Sequence, residues 1–159
     1  MRFNITIIVL VAVLFAAAST VSTPISGANS TARIAPTPGD KKGFSDYRGI
    51  AVGMTTEAVR TKLGAPKDKS DAMDLYMYGD TESAQFYYDA SKSVTAIMIT
   101  YSGDLKNAPL PKDVLGEDAE TRPDGGIFKM VRFPKSGFWI SYNRTAPPDP
   151  IVNIAIQKM

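Results

Sequence analysis

The chain has 159 residues and a formal charge of +2, from 18 Lys and Arg against 16 Asp and Glu, so charge gives no case for nucleic-acid binding. It contains neither His nor Cys, which removes the commonest general base, thiol catalysis and metal sites built on those residues. We therefore expect no nucleic-acid partner, no cofactor and no metal site.

The first 28 residues are predicted to be a signal peptide. Arg2 supplies the positive charge, and the stretch from Ile5 to Ala18 is apolar apart from Thr6. This stretch is shorter than the roughly 20 residues that a membrane-spanning helix needs. Cleavage after Ala18 or after Ala28 fits the small-residue pattern, and we favour Ala28. The alternative is an uncleaved anchor; after cleavage we expect a periplasmic or secreted protein with no stable membrane span.

Residues 29–43 are predicted to be a flexible linker, because they are rich in Ser, Thr, Pro, Gly and Lys and have little apolar surface to bury. The folded region is expected to begin near Phe44. Without disulfides it must be held together by its core alone.

The clearest local signal is a short helix between Thr55 and Gly64. The Thr55 hydroxyl is a good N-cap, and Met54 and Val59 occupy the two positions that form a hydrophobic staple. Gly64 can adopt a positive φ after the last turn, and Pro66 stops the helix.

Three strands are predicted after this helix, since aromatic and β-branched residues alternate between turn signals. They are Leu75–Tyr78, Ala84–Tyr88 and Val94–Tyr101. The helix and strands form a predicted first unit over residues 44–104.

Residues 105–159 are predicted to repeat this order as a divergent second unit. A short helix over Pro111–Leu115 ends at Gly116 and is followed by strands Ile127–Phe133, Phe138–Tyr142 and Ile151–Lys158. The predicted alignment places Leu63–Gly64 on Leu115–Gly116. It also places Phe86, Tyr88 and Asp89 on Ile140, Tyr142 and Asn143, and Ile97 and Ile99 on Ile154 and Ile156. The predicted fold is therefore α+β: two tandem units, each a helix with three antiparallel strands, forming one curved sheet with the helices on one face.

Alternation along the strands divides the sheet into two faces. One face is large and apolar and should be covered by the helices: Phe86, Tyr88, Ile97, Ile99, Ile140, Tyr142, Val152, Ile154 and Ile156. The other is mostly small and polar, with Tyr87 and Trp139 near its middle. Aromatic side chains in such a setting anchor protein interfaces, although they also stabilise cross-strand pairs on a solvated sheet. The candidate partner-binding residues are Tyr87, Trp139, Gln85, Met98, Ser141 and Asn153.

Candidates for chemistry are weak. Asp68, Asp71 and Asp74 recur every three residues, but the neighbouring lysines favour a solvated loop over a calcium site. Ser136 beside Lys135 is the only local hint of a Ser–Lys nucleophile pair. We expect no catalytic residues.

The pattern from Gly53 to Pro66, G-M-T-x-E-x-V-R-x-x-L-G-x-P, followed by an aromatic strand and a hairpin, resembles the SmpA/OmlA (BamE-like) domain. The same unit is similar to half of the β-lactamase inhibitor protein fold, which holds two in tandem. The resemblance is good over Gly49 to Tyr101 and faint over Leu105 to Met159. The resemblance implies a non-enzymatic envelope protein that binds another protein. The inhibitor proteins bind their target enzyme through the concave face of the sheet. The missing lipidation cysteine argues against BamE-like anchoring, and the missing disulfides argue against β-lactamase inhibition.

These observations predict an exported, non-catalytic protein-binding module of the cell envelope, either a scaffold or an inhibitor, whose partner is a protein bound on the helix-free sheet face. The alternatives are a binder of a small ligand or a cell-wall polysaccharide, and an enzyme that uses carboxylate or Ser–Lys chemistry.

Overall fold

The computed structural model describes residues 43–159, which form an α+β fold with one antiparallel sheet of seven strands. The predicted signal peptide and nearly all of the linker lie outside the described residues. The elements in chain order are α1 (Thr56–Leu63), β1 (Asp68–Lys69), β2 (Met73–Met77), β3 (Glu82–Tyr88), β4 (Val94–Tyr101), α2 (Pro111–Leu115), β5 (Ile127–Phe133), β6 (Phe138–Arg144) and β7 (Val152–Lys158). In this part of the chain no helix has the length and apolar character needed to cross a bilayer.

The limits of α1 follow the predicted signals. The Thr55 hydroxyl accepts a hydrogen bond from the Ala58 N–H at 3.2 Å, as an N-cap should. At the other end Gly64 has φ 81° and ψ −159°, and its N–H donates to the Arg60 carbonyl. This backbone conformation is available almost only to glycine, so Gly64 fixes where the helix ends. Val59 is fully buried, which fastens the helix to the core.

The strand order across the sheet is β1-β2-β3-β4-β7-β6-β5. Two three-stranded meanders, β2–β3–β4 and β5–β6–β7, therefore meet where β4 pairs with β7. That central pair aligns Ile97 with Ile156 and Ile99 with Ile154. All nine residues predicted to form the apolar face are buried, so the predicted division of the sheet into two faces is confirmed.

Both helices contribute to the core on the buried side of the sheet. Val59 of α1 and Val114 and Leu115 of α2 are fully buried in the same cluster as the apolar strand residues. Phe44 opens the described fold, since its N–H donates to the Val114 carbonyl at 2.8 Å.

Several predicted boundaries were wrong. The strand β1 was missed, β2 runs Met73–Met77 rather than 75–78, and β3 begins at Glu82. In the second half β6 continues to Arg144 and β7 begins at Val152. The main error was to read Asp74 as part of a solvated loop, because it is fully buried in β2. A carboxylate is tolerated there because donors reach it from α1 and β3, and these partners are distant in sequence.

Candidate functional site

The helix-free face of the sheet, called the open face below, consists of three rows of aligned side chains. The middle row is Leu75, Gln85, Met98, Ala155, Ser141 and Met130. The row on one side is Met73, Tyr87, Ala96, Gln157, Trp139 and Arg132. The row on the other side is Met77, Ser83, Thr100, Asn153, Asn143 and Phe128. The middle row continues at one end to the exposed Asp68 of β1, which pairs with Leu75, so the charged residues of these rows are Asp68 and Arg132. They lie at the two opposite edges of the sheet, and the strands between them carry no charged side chain on this face.

Apolar side chains are exposed on this face. Met77, Met98, Phe128 and Met130 are exposed by 49%, 40%, 48% and 43%, and they lie in the middle row or the row beside it. They account for four of the seven large apolar residues that are exposed in the described part of the chain. A contiguous apolar patch is typical of interaction surfaces, whereas apolar residues scattered singly are normal. Phe128 and Met130 are neighbours in β5, while Met77 and Met98 lie singly in β2 and β4.

The structure places all six predicted binding residues on the open face. Tyr87 and Trp139 lie in the same row and are half-buried. Two strands separate them, a distance of roughly 14 Å at the usual spacing of strands. Ala96 and Gln157 occupy the positions between them, so two smaller side chains separate the aromatic rings.

Hydrogen bonds hold some of the polar residues of this face in place. The Tyr87 hydroxyl donates to Gln85 Oε1 at 2.6 Å, and the Thr100 hydroxyl pairs with Asn153 Oδ1 at 2.9 Å. These bonds reduce the side-chain freedom that a partner would otherwise have to restrict on binding.

The sequence argument missed Met77, Phe128 and Met130. Alternation along β5 contained the signal, since residues 128, 130 and 132 share one face of that strand and are exposed. The predicted open face rested on alternation in β3, β4, β6 and β7, whereas Met77 lies in β2 and Phe128 and Met130 lie in β5.

The opposite side of the sheet holds a buried ion pair. The Arg60 guanidinium donates to both oxygens of Asp74, at 2.8 and 2.7 Å, and the Tyr88 hydroxyl donates to Asp74 Oδ2 at 2.8 Å. The hydrogen bond to Asp74 raises the pKa of Arg60, while burial, and then the hydrogen bond to Asp74, raise the pKa of Tyr88. The Asp74 carboxylate is fully buried and both of its oxygens accept hydrogen bonds from the protein, so we interpret this cluster as structural.

A second polar cluster joins the start of the described chain to β3. The Tyr47 hydroxyl donates to Glu82 Oε1, and the Arg48 guanidinium bonds both groups at 3.0 Å. Arg48 also lies 3.9 Å from the ring centroid of Tyr78. Burial, followed by the nearby Glu82, raises the pKa of Tyr101 to about 12. Glu82 lies on the same face of β3 as the buried Phe86, so this cluster is on the helix side of the sheet, with the Arg48 side chain 43% exposed at its rim.

The acidic residues considered for calcium do not converge. Asp71 is exposed and pairs with Lys92 at 2.7 Å, which lowers the pKa of Asp71. Asp74 is bound by Arg60, and Asp68 is exposed in β1. Within residues 43–159 no group of three or more acidic side chains is arranged so that it could hold a metal ion.

Among residues 43–159, the Ser–Lys pair suggested by the sequence does not form a catalytic arrangement. Lys135 and Ser136 are exposed in the turn between β5 and β6, with no hydrogen bond between their side chains. A shallow depression of about 660 Å³ lies beside the start of α1, lined by Thr and Ser hydroxyls and by Arg60, Asp71 and Lys92. Of its charged groups, Asp71 and Lys92 pair with each other and Arg60 pairs with Asp74, while Glu57 is the fourth charged residue of the lining.

The chain was compared with protein-family models, curated proteins and solved structures. No protein-family model and no curated protein matches the chain. Among solved structures, the chain is similar to a DUF4309 family protein (YjgB) from Bacillus subtilis subsp. subtilis strain 168. The two are 14% identical, the match covers 70% of this chain and 84% of that chain, and the TM-score is 0.48.

Proposed function

We propose that this protein is a non-catalytic protein-binding module and that the open face is its binding surface. The observation that carries the proposal is the set of four exposed Met and Phe side chains, distributed from β2 to β5 on a sheet face whose charged residues lie at its two edges, with Tyr87 and Trp139 between them. Methionine side chains are flexible and polarizable, so they adapt to a partner's surface. Half-buried aromatic rings are rigid and serve as anchors.

The partner that fits this surface is a folded protein with an apolar, weakly charged patch. The sheet face is broad, and the two depressions found among residues 43–159, beside α1 and beside residues 148–151, are not lined by residues of its rows. A small ligand is usually buried in a deep concavity. The centre of the open face carries no cation or carboxylate that would select a charged ligand.

We also propose that residues 44–104 and 105–159 are tandem BamE-like units. In support, each short helix ends at a glycine with positive φ, Gly64 or Gly116, and a three-stranded meander follows each. The central strands pair Ile97 with Ile156 and Ile99 with Ile154, as a two-fold axis between matched strands requires. An experimental structure whose halves failed to superpose about that axis would count against this.

We further propose that the protein acts after export, in the periplasm or outside the cell. The support is the leader-like sequence of residues 1–28, with its apolar stretch and small residues near Ala28. Mass spectrometry of the N-terminus of the protein from the envelope fraction tests this. An intact Met1 on a cytoplasmic protein would refute it.

The test of binding uses a photo-reactive amino acid at Met98, the centre of the open face, to capture a partner from envelope extract. The captured protein is then purified and its dissociation constant is measured by the fluorescence of Trp139, the only tryptophan of the chain. We expect the Tyr87→Ala/Trp139→Ala pair to weaken binding at least a hundredfold, measured by calorimetry because the fluorophore is lost. The free energy of unfolding should change by about 1–2 kcal/mol at most.

The matched control is Leu110→Ala, which removes a side chain that is 67% exposed at the start of α2, away from the open face. It should leave the affinity unchanged. A large stability loss in the double variant would show that the two aromatics belong to the core. Saturable stabilisation by cell-wall sugars or another small ligand, without any protein captured at Met98, would favour the alternative class of function.

A further inference from the structure

β5 lies at one end of the sheet that residues 43–159 form, and within this part of the chain most of its outer edge has no strand beside it. β6 pairs with β5 along its whole length, from Ile127–Arg144 to Phe133–Phe138. On the other side, pairing among residues 43–159 is confined to a single bridge between Thr121 and Ile127. The backbone of residues 128–132 is therefore a template on which another strand can pair.

The usual protection of such an edge is reduced here, since Arg132 is the one exposed charged side chain of β5. Exposed lysines, prolines and bulges commonly keep edge strands from pairing with other chains. In β5 the lysine is turned onto its own chain: Lys129 Nζ donates to the Asp118 carbonyl at 2.6 Å and pairs with Glu117 Oε1 at 3.0 Å. The strand contains no proline and its register with β6 has no shift.

The sequence of β5, Ile-Phe-Lys-Met-Val-Arg-Phe, is self-complementary about Met130. In an antiparallel pairing of two copies centred there, Met130 faces its own copy and Lys129 faces Val131. Phe128 then faces Arg132, so no like charges are opposed and a guanidinium meets an aromatic ring. The unpaired part of β5 is also centred on Met130. Thr121 bridges the edge at Ile127, and a turn begins after Phe133, so residues 128–132 are the part that can pair.

We propose that a second copy of this chain pairs with this edge, β5 against β5, about a two-fold axis at Met130. The seven strands of each copy then form one sheet of fourteen. Because Met130 ends the middle row of the open face, the two open faces become continuous across the axis. The contact is small, so the dimer is weak and forms at high protein concentration. It does not depend on the proposed binding role.

Sedimentation equilibrium over a wide concentration range tests the dimer. We expect the wild-type protein to show a monomer–dimer equilibrium. Met130→Lys places two ammonium groups face to face at the axis and should raise the dissociation constant about tenfold or more. The matched control is Met98→Lys, which makes the same change on the same face but in β4, at the centre of the sheet. It should leave the dissociation constant unchanged.

Disulfide cross-linking tests the register in a chain that has no native cysteine. In the proposed pairing Met130→Cys brings two Cβ atoms to about 4.5–5.5 Å, whereas two copies of Arg132→Cys lie roughly 13 Å apart along the strands. Mild oxidation should therefore cross-link Met130→Cys and not Arg132→Cys. The proposal is overturned by a protein that stays monomeric, by a dimer that Met130→Lys does not weaken, or by preferential cross-linking at 132.

Discussion

Replacement of Arg60 by methionine should destabilise the fold strongly, although the residue lies on a surface helix. The variant removes two of the three hydrogen bonds that Asp74 accepts, at 2.8 and 2.7 Å, and leaves only the Tyr88 hydroxyl at 2.8 Å. The Asp74 side chain is 0% exposed, so its charge would remain in the core without a countercharge.

Breaking a buried ion pair from one side costs about 3–5 kcal/mol. The Arg60 side chain is 37% exposed, so water can reach part of the space that it vacates. We therefore expect the lower end, about 3 kcal/mol. Arginine and methionine have similar helix propensities, so the helix itself contributes little to this difference.

Urea denaturation monitored by circular dichroism measures the effect as a change in the free energy of unfolding. The control is Lys62→Met, which removes an exposed positive charge from the same helix and should change stability by no more than about 0.5 kcal/mol. If both variants lost the same small amount, Asp74 would not depend on Arg60 and the assignment of this pair to the core would be refuted.

Two further predictions concern stability. Burial raises the pKa of Tyr76 and of Tyr101 from 10.0 to about 12, so the folded state resists their ionisation. The contribution of this pKa difference to the free energy of unfolding is fully present below pH 10 and is lost as the pH rises to 12. At pH 11 we expect the loss to be about 1 kcal/mol for each tyrosine. Unfolding and phenolate absorbance measured together should therefore rise in one transition, and a phenolate signal that reached full size in a still-folded protein would contradict this. Separately, Gly64→Ala should cost about 2–3 kcal/mol and Gly137→Ala about 1 kcal/mol, because φ 81° with ψ −159° excludes a Cβ more strongly than the left-handed helical φ 74° with ψ 21°. Nothing lies within 4 Å of an added Cβ at either position, so equal losses in thermal melts would show that backbone conformation is not the cause.

Much of the fold could be predicted because its signals are local. Thr55 and Gly64 define α1 from their own chemistry, and alternation with period two divides β3, β4, β6 and β7 into a buried and an open side. Strand order could not be derived in the same way. The pairing of β4 with β7 joins residues more than fifty positions apart, and its register depends on packing that no short segment encodes.

Asp74 marks the limit of that reasoning within a single segment. Its neighbours Lys67, Lys69 and Asp71 are typical of a solvated loop, and nothing in the local sequence indicates burial. What buries it is a guanidinium from α1, fourteen residues earlier, and a hydroxyl from β3, fourteen residues later. A charged residue can be buried in a strand when hydrogen-bond partners from other elements of the fold reach it. The composition of the neighbouring sequence therefore does not identify every buried residue.

In the function that we propose, the two faces of the sheet have separate roles. The ion pair of Arg60 and Asp74 and the cluster around Glu82 both lie with the helices, where they complete a core that has no disulfide. The open face carries Met77, Met98, Phe128 and Met130, whose exposed side chains contribute little to that core. Substitutions on the open face should therefore change binding at a small cost in stability, whereas substitutions at the polar clusters should change stability and affect binding only through unfolding. A variant set drawn from both faces, measured for affinity and for unfolding free energy, separates the two roles residue by residue.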